Sequence, residues 1–159
     1  INPDRTDLIA EKKIIASWLK PKDQHKNTLE EVLVGADVFI GVSKANLLTS
    51  TMVKSMAKQP IIFALANPTP EIMPDIALKA GAFIVATGRS DFPNQINNVL
   101  AFPGIFRGAL DNRVTNITDK MLVKAAENLA ACVKKPTVKK ILSDPFDKKI
   151  VTAVSKAIK

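Results

Sequence analysis

Three short apolar runs, each separated from the next by a helical pattern, limit what this chain can fold into more than any other feature: residues 37–42 (DVFIGV), 60–66 (PIIFALA) and 82–86 (AFIVA). None alternates apolar with polar residues at period two, so each predicts a strand covered on both faces, the condition of a parallel sheet. Between them, residues 28–34 open with Thr28 and place Glu31 three positions later, a capping-box arrangement. Residues 49–57 and 71–80 carry apolar side chains three and four apart, as an amphipathic helix does. Gly35 and Gly81 follow the first and third of these helices, where a left-handed residue closes a helix, and each leads into a strand. Beyond residue 86 only helices are expected: 98–110, 119–132 with Thr118 as N-cap, and 147–158 started by Asp144 or Asp147, with Pro136 and Pro145 marking interruptions. A further helix is expected over residues 3–18, followed by a polar loop holding the sole histidine, His25, which reads as plain surface because no second ligand or base lies near it. The expected class is α/β: a partial Rossmann-like three-layer sandwich of about three parallel strands with flanking helices, followed by C-terminal helices.

The 159 residues, 47% hydrophobic and 24% charged, are enough for one domain with a core. No apolar run approaches the roughly 20 residues of a membrane span, and the charged opening INPDRTDLIAEKK is unlike a signal peptide. A cytoplasmic chain with no membrane partner is therefore expected. The lone Cys132, in an apolar run, has no internal partner for a disulfide and reads as a small buried hydrophobe. The net charge of +8 suggests nucleic acid, but eight lysines against two aspartates crowd residues 134–159, and the chain has no Tyr and one Trp for base stacking. A lysine-rich, solvated helix face is the expectation, with no nucleic-acid partner.

Three strands are half of the six in a complete dinucleotide-binding domain, and the missing half has a chemical signature. The six glycines never fall at GxGxxG spacing, so the usual pyrophosphate loop is absent. Ligands of such sheets bind outside the carboxyl ends of the strands, and polar residues stand there in succession: Ser43, Asn67 and Thr87. Gly41-Val42-Ser43 permits close approach of a ligand to backbone, or is simply a tight turn. Asn67 precedes Pro68 and is pushed towards extended geometry, its amide outward; a turn-forming Asn is the plainer alternative. In DFPNQINN, the amides Asn94, Gln95, Asn97 and Asn98 exceed what one helix cap requires. They suit a carboxylate or carboxamide, aided by the N-terminus of a helix beginning at Asn98. Arg89 is placed to pair with a carboxylate, and Arg107 with a ligand or with Asp111. Asp91 alone is a poor metal ligand, having no second carboxylate at suitable spacing.

The segments DVFIGVS, MVKSMAKQPIIFALANPTPEI, AGAFIVATGRSDFPNQINNVLAFPGIFRGALD and SDPFDKKIVTAVSKAI are similar, in order and separation, to the C-terminal part of bacterial malic enzymes. That family oxidises and decarboxylates malate to pyruvate with NAD or NADP and a divalent metal, Mg or Mn. The resemblance implies that Asn67, Asn97 and Asn98 reach the malate, that Asn67 and Asn98 also reach the nicotinamide end of the cofactor, and that the backbone of Gly41, Val42 and Ser43 lines the same pocket. It further implies that the proton-transferring Tyr and Lys and the metal-binding carboxylates belong to a preceding portion, which makes that portion a partner. This chain has no Tyr, and no catalytic or metal-binding residue is assigned to it. The family's habit of dimerising implies a homodimer. Two expectations follow: a C-terminal piece of a malic enzyme's NAD(P)-binding domain, silent alone, or a non-enzymatic remnant or interaction module that has kept the scaffold.

Overall fold

The apolar runs form strands of four residues each: β1 Val38–Gly41, β2 Ile61–Ala64 and β3 Ile84–Thr87. They lie parallel in the order β1-β2-β3, with Phe39, Ile62 and Val85 in one row and Gly41, Ala64 and Thr87 in another. Side chains alternate along a strand, so these six residues share one face of the sheet, and all are buried. The molecule is seen in a computed structural model that describes residues 6–18 and 28–159. His25 and the first residues of the helix expected over 3–18 lie outside the described residues; within them α1 is Ala10–Trp18, beginning only after a turn at Thr6 and Asp7.

Three helices cover the buried face. In α2, Leu29–Leu33, the capping box is complete: Glu31 N donates to Thr28 Oγ1 at 3.2 Å and Thr28 N to Glu31 Oε2 at 3.0 Å. α3, Ser50–Ser55, is capped by Thr49, and α4 is Pro74–Lys79. Leu33, Val53 and Ala77 from these helices, with Leu48 and Met56, pack on Phe39, Ile62, Ala64 and Val85. Gly35 and Gly81 take φ of 72° and 108°, the left-handed conformation expected of them. α4 starts later than residues 71–80 suggest, because Pro74 is suited to a first helical position while Glu71 and Ile72 are drawn into the interior.

The opposite face departs from expectation. Val38, Ile40 and Val42 are 46%, 62% and 78% exposed, and Ile61, Phe63 and Leu65 are half-buried. Among the described residues the opposite face is thus open along β1, half-covered along β2 and at Ile84, and closed at Ala86, while α2, α3 and α4 all contribute to the core on the first face.

After β3 a single 3₁₀ turn, Asn98–Leu100, precedes α5, Phe102–Asp111, in place of one helix over 98–110. Pro103 explains the break. In a continuous α-helix its ring would meet the carbonyl of Val99 and it has no N–H to donate, whereas it is tolerated in the first turn of a new helix. α6, Asp119–Ala130, is capped by Thr118, and α7, Lys148–Ser155, by Asp147; Asp144 instead accepts from Phe146 N at 2.9 Å. Leu100, Ala125, Ile150, Val154, Ala157 and Ile158 form a second core among these helices. The lysine cluster is exposed as expected, but Lys134, Lys135, Lys139 and Lys140 occupy the loop between α6 and α7 and not a helix face, since α6 ends at Ala130, before Pro136. Cys132 lies in the turn after α6, so it is half-buried and not fully so, its Sγ 3.3 Å from the Asn128 carbonyl.

α5 and α7 meet through glycine. A Cβ at Gly104 would stand 2.5 Å from Val154 Cβ, and one at Gly108 would stand 2.5 Å from the Ser155 carbonyl oxygen. Backbone cannot swing away as a side-chain tip can, so Gly108→Ala is expected to destabilise the fold by about 1–3 kcal/mol through overpacking. That is the net direction even though alanine is the better helix former by about 1 kcal/mol; a lowered urea midpoint is the measurement.

Candidate functional site

Outside the carboxyl ends of the strands lies a cleft of about 530 Å³, lined by Val42 after β1, Leu65 and Asn67 after β2, Gly88 after β3, and Ile96, Asn97, Asn98 and Leu100 beyond. Ala101, Leu129 and Leu142 complete its wall. Four residues expected from sequence, Val42, Asn67, Asn97 and Asn98, therefore converge. Two do not line it. Gly41 is buried, and a Cβ there would lie 2.5 Å from the carboxyl carbon of Glu71, so the glycine makes room for that side chain. Ser43 N donates to Glu71 Oε1 at 2.9 Å.

The amides divide into two kinds. Asn67 and Asn98 are exposed, and their side chains have no hydrogen-bond partner among the described residues. Asn97 is committed at both ends: Oδ1 accepts from Val99 N at 3.1 Å, and Nδ2 donates to the Gly88 carbonyl at 3.2 Å. Asn97 is thus the cap, and Asn98 is the first residue of the turn it caps. That turn has three residues, too few to carry the helix dipole expected at Asn98.

Asn94 does not join the cleft. It is buried at φ 57°, with Nδ2 donating to the carbonyls of Val85 at 3.1 Å and Val138 at 2.8 Å, and Oδ1 accepting from Ile141 N at 3.0 Å. It pins the loop before α7 to β3. Asn94→Ala leaves those buried groups unpaired and is expected to cost about 2–4 kcal/mol, readable by chemical denaturation. Thr87 is buried as well, its Oγ1 accepting from Arg89 N at 3.2 Å, so Asn67 alone of the strand-end series Ser43, Asn67 and Thr87 lines the cleft.

Arg89 and Arg107 are both engaged inside the chain. Arg89 donates to both Asp91 oxygens, at 2.8 and 2.6 Å, and to the Pro68 carbonyl at 3.2 Å, and its guanidinium stands 5.4 Å from the Phe92 ring centre. The hydrogen bond from Arg89 holds the Asp91 carboxyl below its ordinary range, and the same bond raises Arg89. Arg107 pairs with Asp111 at 2.7 Å. Among the described residues no three His, Cys, Asp or Glu side chains come together as a metal site.

One residue was not singled out from the sequence. Glu71 is fully buried, with Oε1 on Ser43 N at 2.9 Å and Oε2 on Ala66 N at 3.0 Å. Its signal is a lone acid inside PTPEIMP, where its neighbours are prolines and apolar residues.

A parallel α/β sheet with a cleft at the carboxyl ends of its strands belongs to the Rossmann-like nucleotide-binding class. Residues 1–158 match the family model described as malic enzyme, NAD binding domain. The bifunctional malic/malolactic enzyme of Bacillus subtilis (strain 168) is 57% identical over 139 residues, which are 86% of this chain and 34% of that protein. An NADP-dependent malic enzyme of Rhizobium meliloti (strain 1021) is 47% identical over 150 residues, 84% of this chain and 20% of that protein. The crystal structure of an NAD-dependent malic enzyme from Thermotoga maritima superposes with a TM-score of 0.88 at 47% identity, covering 95% of this chain and 40% of that one. The chain belongs to the malic enzyme family, within its NAD-binding domain. It spans between 20% and 40% of the length of these three proteins.

Proposed function

We propose that this chain forms the wall of a malic enzyme that faces malate and the nicotinamide of NAD or NADP, in an assembly that converts malate to pyruvate by oxidative decarboxylation. The observation that carries the proposal is the convergence of Asn67 and Asn98, exposed and with unpaired amides among the described residues, on a cleft with apolar walls. An amide donates and accepts without net charge, which suits a substrate carboxylate or a nicotinamide carboxamide. Val42, Leu65 and Leu100 offer apolar surface for a planar ring. When bound, NAD(P) supplies the hydride acceptor; the part of this chain is to orient ring and substrate and to exclude water from one side. Asn97 acts by fixing Asn98 and by closing the cleft wall, and Gly41 and Ser43 act by holding Val42 in place.

The described residues offer no set of ligands for a divalent metal, so no step through one is assigned to them. What does support a preceding portion as partner is the sheet. In the doubly wound order 3-2-1-4-5-6, β1, β2 and β3 correspond to strands 4, 5 and 6, and strand 1 lies beside β1. The outer edge of β1 pairs with no described strand, and the exposed side chains of Val38 and Ile40 are what a completed sandwich would cover. The test is turnover by this chain joined to the preceding portion of the Bacillus subtilis relative, against the chain alone.

A further inference from the structure

We infer that Glu71 is a positioning residue for the cleft, clamping the loop after β1 to the loop after β2 and so fixing where Val42 and Asn67 stand; the inference rests on the malic enzyme reading of that cleft. The two N–H groups it holds belong to Ser43 and Ala66, the immediate chain neighbours of Val42 and Asn67. A single carboxylate thus ties together the chain neighbours of two lining residues, in the loops that follow adjacent strands. The same turn is tied by backbone, with Asn46 N on the Pro70 carbonyl at 3.1 Å and Leu48 N on that of Glu71 at 2.9 Å.

Stability alone is a poor reason for this side chain. Glu71 is fully buried and pairs with no cation among the described residues, and burying a carboxylate is costly unless hydrogen bonds replace its water. What it supplies is geometry. Two converging N–H donors require two acceptor oxygens, which a carboxylate has and a glutamine lacks, since the glutamine amide turns an NH₂ towards one of them. Gly41 completes the fit, because a Cβ there would lie 2.5 Å from the carboxyl carbon.

The experiment uses the enzyme assembled from this chain and the preceding portion of the Bacillus subtilis relative, with Glu71→Gln, Asn67→Ala and the double variant. Each single variant is expected to lower kcat/KM for malate by about 10- to 100-fold. The double variant is expected to fall no more than about 3-fold below Asn67→Ala, because Glu71 acts mainly through Asn67, the polar residue of the two it positions, and those two losses are not additive. In the 159-residue chain, amide exchange at Ser43 and Ala66 should accelerate by about 10-fold or more while Ile62 is unchanged. If Glu71→Gln does not fold, Gly41→Ala, which displaces the carboxylate and keeps its charge, takes its place with the same pattern expected. Losses that multiply in the double variant, or a Glu71→Gln enzyme as active as wild type, overturn the positioning role and leave the malic enzyme reading standing. An active assembly indifferent to Asn67→Ala, or an inactive wild-type assembly, overturns that reading and this inference with it.

Discussion

In the assembled enzyme, Asn98→Ala is expected to lower kcat/KM for malate by about 10- to 1,000-fold, the roughly 1.4–4 kcal/mol lost with a hydrogen bond to a charged or strongly polar ligand group. Its melting temperature should barely move, since the Asn98 amide has no partner among the described residues and the cap of the 3₁₀ turn is Asn97. Asn97→Ala should show the reverse emphasis. It removes the cap on Val99 N and the tie to Gly88, costing about 1 kcal/mol or somewhat more. Its kinetic loss is expected to be smaller than that of Asn98→Ala. The adjacent pair therefore separates ligand contact from local folding within one turn of chain. If Asn98→Ala keeps wild-type kinetics, Asn98 does not touch malate or cofactor.

The fold was legible where local chemistry is self-sufficient. Thr28 with Glu31, Thr118 before α6 and Gly81 after α4 each act through groups three residues away, Gly35 needs only its own left-handed backbone, and all stand where the sequence puts them. Apolar runs gave the strands but not their cover, because a run such as DVFIGV states that Val38 and Ile40 are apolar without stating which of the two faces the helices will take. The cleft was legible in Val42, Asn67, Asn97 and Asn98. The amide cluster misled at Asn94, whose three partners include Val138 and Ile141, more than 40 residues along the chain and invisible to any local pattern. Glu71 escaped for a related reason. It looked like the first residue of a helix, and only the meeting of the β1 and β2 loops gives its carboxylate two donors.

The second large effect concerns assembly. With no GxGxxG among its six glycines, the isolated chain lacks the usual cradle for pyrophosphate. It is expected to bind NAD and NADP with Kd above about 10 μM, less than roughly 7 kcal/mol, and calorimetric titration reads this directly. It also lacks Tyr and a described metal cluster, whereas oxidising and decarboxylating malate requires groups that remove and return protons and polarise the new carbonyl. Joined to the preceding portion of the Bacillus subtilis relative, the chain should gain both a paired β1 edge and those groups. The most direct measurement is the rate of NADH or NADPH formation from malate with Mn²⁺, for the isolated chain, for the preceding portion alone and for the two joined. The account predicts turnover only in the joined protein, with pyruvate formed in equal amount. Turnover by the isolated chain, or a folded joined protein that forms neither reduced cofactor nor pyruvate, would contradict it.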